Sequence, residues 1–315
     1  MPVAKFCAST WKQLIDFKDK LPTGYCFRGQ SSNWLLMPTI ERASRLPKSA
    51  LPNINLLANE FYSIREFQSR AFNYLDRTPE MTDHLGWLSY IQHYGGTTRL
   101  LDFTESFYVA VYFAFDSYFD FQDSKSVASP TIWCINARML KDAIPHDIRD
   151  KYISDGLGYP EDVDYQEMFN HFFQDGITNQ VTTDVCGVAV SGLSRTGSQP
   201  NEVAPLVIPI KPKTMHQRLH NQKGLFLTQI DHTYGFVSTI NQTFARVDHD
   251  IKMPSTDQEP AIYSSRIIEL TLNNSFEFYR DVQIQLNEMG INPESMFPGL
   301  EGLARSTRHV FNTTK

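Results

Sequence analysis

The sequence predicts an α+β protein built on a mixed β-sheet, with a buried central helix and flanking helices. Predicted strands and helices are interspersed without the regular strand–helix–strand rhythm of a parallel sheet. Residues 107–115 are apolar on every helical face, which is typical of a helix buried on all sides. Apolar residues make up 41% of the chain and charged residues 20%, as in ordinary globular domains, which excludes disorder as the dominant state.

The N-terminal elements follow from apolar spacing and from chain-breaking residues. A helix is predicted over residues 9–20, a strand over 24–29 that turns at Gly29, and a helix over 54–76 closed by Pro79. Thr82 is predicted to cap the next helix, which ends at Gly95 and Gly96 because glycine adopts the left-handed C-cap conformation. The central helix is then predicted over residues 104–119.

The C-terminal elements are strands at 131–136, 203–210, 225–230 and 261–272, and helices at 276–289 and 300–311. The pattern weakens between about residues 121 and 200, where we predict helical stretches near 162–173 and a strand at 185–193. We therefore predict a single domain over residues 1–315 with an insertion or variable region at about 120–200.

Charge, cysteine usage and hydropathy exclude several classes of protein. The formal net charge of −6 lacks the lysine and arginine excess of a non-specific nucleic-acid binder, although a local basic cleft would still admit RNA or single-stranded DNA. No cysteine pair has CxxC spacing, so neither disulfides nor a metal site are predicted, and the thiols are expected in the core. Without a signal-peptide pattern or an apolar run of about 18 residues, we expect a cytoplasmic protein with no membrane contact.

The familiar phosphate-binding and hydrolytic motifs are absent. The sequence contains no GxxxxGK[ST], GxGxxG, GxSxG or HExxH pattern, so common kinase and hydrolase functions have no support.

Polar chemistry is densest in residues 27–29, FRG, and 92–104, QHYGGTTRLLDFT. These segments resemble the FRG domain family, whose members carry HYGxPTRLLDWT before a helix rich in alanine and aromatic residues. Thr97 stands for the usual proline and Phe103 for the usual tryptophan. Residues 222–226, QKGLF, and 297–304, FPGLEGLA, resemble later family elements. The resemblance implies a role in bacterial phage defence or a toxin–antitoxin system, and hence an antitoxin or regulatory partner protein.

A second resemblance implies an activity. Residues 27–29 are similar to the aromatic-Arg-Gly strand of R-S-E type ADP-ribosyltransferases, and residues 104–106, with Ala110 and Phe113 after them, are similar to the second motif of that class. This implies an ADP-ribosyltransferase-like fold and NAD as a substrate. The third motif requires a glutamate two residues after a Gln or Glu. If Gln222 is the first of these, Gly224 takes the place of the glutamate.

The chemistry of NAD assigns expected roles to these residues. A planar guanidinium grips a pyrophosphate with parallel hydrogen bonds, which suits Arg28, and Gly29 would allow close approach of the backbone. Positive charge develops on the ribose as the glycosidic bond breaks, so a nearby carboxylate stabilises it. The candidate catalytic residues are His93, Asp102 and Glu105, with Glu202 as another source of the carboxylate. The candidate NAD-binding residues are Arg28, Gly29, Tyr94, Arg99, Thr104, Ser106 and Gln222.

Each candidate also has a structural interpretation. Arg28 can pair with Asp102 to hold a strand to a helix, and Arg99 can pair with the same carboxylate at helical spacing. Asp102 and Glu105 have capping-box spacing, Thr104 can also serve as the N-cap, and Ser106 can be a first-turn residue with nothing to bind. His93 lies at a helix end, where the helix dipole favours a cation.

Three hypotheses of function remain. The favoured one is an NAD-dependent ADP-ribosyltransferase acting as a defence toxin on RNA, DNA or protein. The alternative is a non-catalytic module that binds a nucleotide or a phosphate signal through Arg28, His93 and Arg99. Another NAD-consuming or nuclease-like activity at the same cluster is a third hypothesis.

Overall fold

The computed structural model describes residues 3–44, 56–118, 129–144, 169–170, 206–230, 234–250 and 265–313. The strands are β1 (Ala4–Ala8), β2 (Tyr25–Gln30), β3 (Leu101–Thr104), β4 (Thr131–Asn136), β5 (Val207–Ile210), β6 (Gly224–Gln229) and β7 (Ile267–Leu272). The helices are α1 (Trp11–Lys20), α2 (Thr39–Ser44), α3 (Leu56–Ala71), α4 (His84–His93), α5 (Phe107–Phe115), α6 (Ala137–Asp142), α7 (Gln217–Asn221), α8 (Phe236–Asp250), α9 (Phe276–Glu288), α10 (Pro293–Met296) and α11 (Leu300–Thr313). The predicted α+β class is confirmed.

The strands form one mixed seven-stranded sheet in the order β1-β7-β4-β2-β3-β6-β5. Strands β1 and β7 are parallel, and the other neighbours are antiparallel. Strand β2 pairs with β4 along its whole length, but it pairs with β3 only through Phe27 and Thr104. The sheet therefore opens beside the second half of β2, where Arg28 lies.

The central helix α5 packs directly against β2. Both contribute residues to the same buried cluster, which includes Phe27, Phe107, Ala110 and Phe115. A Cβ atom added to Gly29 would lie 1.9 Å from the carbonyl oxygen of Ala110, so only glycine permits this contact. The predicted buried helix is confirmed over residues 107–115, but it begins later than residue 104 because residues 101–104 form β3.

The other departures from prediction have local causes. Asp83, not Thr82, caps α4, and its side chain accepts a hydrogen bond from the Gly86 N–H at 2.8 Å. Strands β1 and β3 and helices α2, α6, α7, α8 and α10 were not predicted, because most are short or lack a clear apolar period. Cys7 is exposed, against the prediction of core thiols, whereas Cys26 and Cys134 are buried. The strand predicted at 185–193, and all but residues 169–170 of the helical stretch at 162–173, lie outside the described residues.

Among the helices of the described ranges, none combines the length and the apolar character needed to cross a lipid bilayer.

Candidate functional site

A cleft of about 250 Å³ lies where β2 and β3 separate. Its walls come from β2, β3, the end of α4, and the segment around α7. Six of the residues selected from the sequence line it: Arg28, Gly29, His93, Asp102, Thr104 and Gln222. The fold therefore brings together residues that are far apart in the chain.

Arg28 joins the two strands that flank the opening. Its Nη1 donates to the Asp102 carbonyl oxygen at 2.7 Å and lies 3.8 Å from Asp102 Oδ2. Burial lowers the pKa of Arg28, the Asp102 carboxylate opposes this, and Arg42 adds to it, yet a guanidinium stays charged. The Nε–H of Arg28 is buried without a hydrogen-bond partner among the described residues. A buried donor of this kind favours an anionic ligand beside it.

The carboxylate of Asp102 is oriented by a chain of hydrogen bonds. Gln92 Nε2 donates to Asp102 Oδ2 at 2.7 Å, and Gln92 Oε1 accepts from the Thr98 hydroxyl at 2.6 Å. Thr98 is fully buried, and its N–H donates to the Thr39 hydroxyl at 2.8 Å. Because Thr98 fixes the amide of Gln92, Asp102 is presented to the cleft as a hydrogen-bond acceptor.

Two imidazoles lie against each other in the cleft. The ring centroids of His93 and His216 are 4.1 Å apart, with planes inclined by 34°. Burial lowers the pKa of His93, the charge of Arg218 lowers it further, and Glu301 and Asp102 oppose both. Burial, His93 and Arg218 together lower the pKa of His216 to about 4. Both histidines are therefore neutral near pH 7.

The second cation of the cleft, Arg218, is held by the C-terminal segment. Its guanidinium lies 4.5 Å from the ring centroid of Phe297 and 3.8 Å from a carboxylate oxygen of Glu301. Arg305 packs on the same ring at 3.8 Å and binds Glu301 and Asp116, each at 2.9 Å. The segment that resembles FPxLxGLA thus positions a cleft residue rather than entering the cleft chemistry itself.

Several cleft residues have structural duties that limit their expected roles. The Thr104 hydroxyl donates to the Gln222 carbonyl at 2.7 Å and accepts from the Ser106 N–H at 3.0 Å, so one acceptor lone pair remains for a ligand. Gln222 Nε2 donates to the Met296 carbonyl at 3.0 Å, which leaves its second N–H and its side-chain oxygen. The absent side chain of Gly29 makes room for α5, so the expected close approach is that of helix to strand.

Four predicted residues that the structure describes do not line the cleft, and Glu202 lies outside the described residues. Arg99 is buried and pairs with Glu60 at 2.6 Å, not with Asp102. Glu105 pairs with Lys211 at 2.6 Å in a separate cavity beside α6. Tyr94 is 64% exposed and borders an open hollow between α3 and α4. Ser106 caps α5, accepting from the Val109 N–H at 3.4 Å, while residues 101–104 form a strand, so the capping-box interpretation of Asp102 and Glu105 is wrong.

His216 and Arg218 were not identified from the sequence. They lie more than 180 residues after Arg28, and the pairing of β6 with β3 brings their segment to the cleft. Their closeness to Gln222, within the segment resembling QxGLF, was the available signal. Among the described residues, no cluster of three or more His, Cys, Asp or Glu side chains could hold a metal ion.

The lowered pKa of His216 predicts an acid-sensitive fold. Its folded-state pKa of about 4 lies below the ordinary value of 6.5, so the unfolded chain binds the proton first. The stabilising contribution of the neutral ring is complete above pH 6.5 and is lost as the pH falls towards 4. We expect urea denaturation to show a smaller fall in the free energy of unfolding between pH 7 and 5 for His216→Asn than for the unmodified chain. Equal falls would contradict the shift.

The fold and the cleft were then compared with known proteins. The family model described as FRG domain matches residues 23–123, which run from just before β2 through α5. No curated protein and no solved structure matches the chain. Arg28, His93 and Asp102 lie within the matched residues, whereas His216 and Arg218 lie outside them.

Proposed function

We propose, from the match of the FRG domain model to residues 23–123, that this chain is an ADP-ribosyltransferase-like enzyme that uses NAD as its substrate. The observation that carries the proposal is the cleft itself, where Arg28, with a buried N–H that has no partner among the described residues, lies beside Asp102 and the neutral His93. An anion-binding guanidinium, a carboxylate and a proton acceptor are the groups that transfer of ADP-ribose requires.

The dimensions and charges of the cleft suit one end of a dinucleotide. A volume of about 250 Å³ is below the roughly 300–1,000 Å³ of sites that enclose a whole small molecule. The reacting end of NAD would enter, and the rest would lie across the surface. Arg28 and Arg218 would hold phosphate oxygens, since guanidinium groups form strong charge-assisted hydrogen bonds with them.

A residue of the cleft can supply the carboxylate that is missing at position 224. Strand β6 begins at Gly224, where a Cβ atom would lie 2.2 Å from Leu219 Cδ1, so a glutamate side chain does not fit in this packing. Asp102, across the opening from Arg28, is the described carboxylate that lines the cleft. It would stabilise the positive charge that develops on the ribose.

The biological setting follows from the family resemblance. We propose a toxin or effector of a phage-defence or toxin–antitoxin system, controlled by a partner protein, that modifies RNA, single-stranded DNA or protein. The alternative, a nucleotide- or phosphate-binding module without chemistry, is favoured by one observation, the glycine at position 224.

The test is release of nicotinamide from NAD by the purified protein, alone and with RNA, single-stranded DNA or cell lysate. Arg28→Ala is expected to abolish release and to weaken binding of ADP-ribose about 10- to 100-fold, because hydrogen bonds to charged groups contribute about 1.5–3 kcal/mol. Arg28→Lys should recover little, since a lysine cannot form two parallel bonds.

The matched control is Arg138→Ala, which removes an exposed arginine from the separate cavity beside α6. It should leave both measurements unchanged. Binding of ADP-ribose without release, lost in Arg28→Ala, would replace the transferase with the binding module. Release that persists in Arg28→Ala would contradict the assignment of the site.

A further inference from the structure

The hydrogen bonding of His216 fixes which of its ring nitrogens carries the proton. His216 is the N-cap of α7, and its Nδ1 accepts a hydrogen bond from the Leu219 N–H at 3.2 Å. A nitrogen that accepts from a backbone N–H is unprotonated, so the proton of the neutral ring sits on Nε2. His216 lines the cleft, and the Nε2–H is the hydrogen-bond donor that its ring has left for a ligand.

His93 has the opposite character. It lies at the end of α4, and among the described residues no backbone N–H occupies its ring nitrogens as Leu219 occupies that of His216. Its ring is inclined by 34° to that of His216 with the centroids 4.1 Å apart, and no hydrogen bond joins the two rings among the described residues, so they do not share a proton. His93 therefore keeps an accepting nitrogen for a ligand.

We propose that the two histidines divide the proton chemistry of the cleft: His216 donates a hydrogen bond to a substrate oxygen through Nε2–H, and His93 accepts the proton of the group that is modified. This assignment rests on the proposed function. In the transfer, the acceptor's lone pair forms a bond to ribose C1′ while the bond from C1′ to the nicotinamide nitrogen breaks. The electron pair of that bond neutralises the pyridinium, so nicotinamide leaves without a proton. The proton of the acceptor goes to His93.

Two substitutions separate the donor from the helix cap. His216→Asn keeps the cap, because asparagine is a good N-cap and its oxygen can take the place of Nδ1, but it removes the donor at Nε2. His216→Gln places an amide N–H near the position of Nε2 and gives up the cap. We expect His216→Asn to melt close to the unmodified protein while its kcat falls about 10- to 1,000-fold, the range found when one preorganised donor is removed. His216→Gln should recover part of that kcat at a lower melting temperature.

Nitrogen-15 NMR of the histidine rings provides a measurement that needs no turnover. The expected spectrum shows His216 with Nδ1 unprotonated and Nε2 protonated at pH 7, and addition of ADP-ribose shifts the Nε2 resonance. A proton on Nδ1, or an unmoved Nε2 resonance with ADP-ribose bound, would overturn the assignment. So would a wild-type kcat in His216→Asn, because His216 would then serve only as a cap.

Failure of the proposed function can be told apart from failure of the histidine assignment. If the unmodified protein releases no nicotinamide under any condition, the transferase is lost. The ADP-ribose titration then still decides the donor role, because a shifted Nε2 resonance supports the role and an unmoved one refutes it.

Discussion

Arg99→Ala is expected to lower the free energy of unfolding by about 3–5 kcal/mol, because it leaves a carboxylate buried without its counter-charge. Arg99 and Glu60 have side-chain exposures of 1% and 0%, with Nε and Oε2 2.6 Å apart. Glu60 also accepts from the Arg99 backbone N–H at 2.8 Å. The loss should appear as a lower urea midpoint, with NAD chemistry retained at temperatures where the variant is folded.

Two further variants separate the cost of leaving Glu60 buried without a counter-charge from other effects of Arg99→Ala. Arg70→Ala breaks an exposed ion pair with Glu66 on the same helix, α3, and should cost under about 0.5 kcal/mol. The double variant Glu60→Leu with Arg99→Met should recover part of the loss, since apolar groups of similar size can replace a buried pair. If Arg99→Ala unfolded like the unmodified chain but no longer bound ADP-ribose, the structural role would be wrong.

Gly29→Ala is expected to destabilise the fold by at least about 2–3 kcal/mol, the upper part of the range for overpacked cores. The added Cβ would lie 1.9 Å from the Ala110 carbonyl oxygen and 2.6 Å from the Ala114 backbone nitrogen. Both contacts are backbone atoms of α5, so the helix itself must move away from β2. Because Arg28 precedes Gly29 on the same strand, binding of ADP-ribose should weaken as well.

Gly95→Ala is the matched control for Gly29→Ala. Gly95 has a φ of +82°, and an added Cβ would meet no atom within 4 Å. This change tests backbone strain alone, at about 1 kcal/mol. Thermal denaturation of the two variants compares the two costs, and equal losses would show that the contact with α5 does not exclude a side chain.

The sequence predicted the parts of the fold that local patterns report. The apolar residues 107–115 and the strand at 131–136 were recognised because every turn or alternate residue carries the signal. Strand β3 was not recognised, because its four residues complete only two repeats of the two-residue strand period. Arg99 and Asp102 were therefore related by helical spacing, although Arg99 lies in a bend, Asp102 lies in β3, and Arg99 pairs with Glu60.

The candidate site was predictable only for the residues that lie in segments with a recognisable sequence motif. Arg28, His93 and Asp102 belong to the segments that resemble the family, and they meet in the cleft. His216 and Arg218 enter through the pairing of β6 with β3, a long-range contact that no local pattern encodes. Tyr94 showed the converse: its position beside His93 in sequence did not place its ring in the cleft.

The single pair between Phe27 and Thr104 makes the sheet mechanically weakest where the cleft lies. On one side β1, β7, β4 and β2 form one set of paired strands, and on the other β3, β6 and β5 form a second set, while a buried cluster that includes Cys26, Phe103 and Ile135 packs against both sets. Few backbone hydrogen bonds join β2 to β3 there, and the guanidinium of Arg28 adds a side-chain hydrogen bond across the opening. A ligand that draws the Arg28 guanidinium away from Asp102 would remove that hydrogen bond, so we expect ligand binding to weaken the contact between β2 and β3.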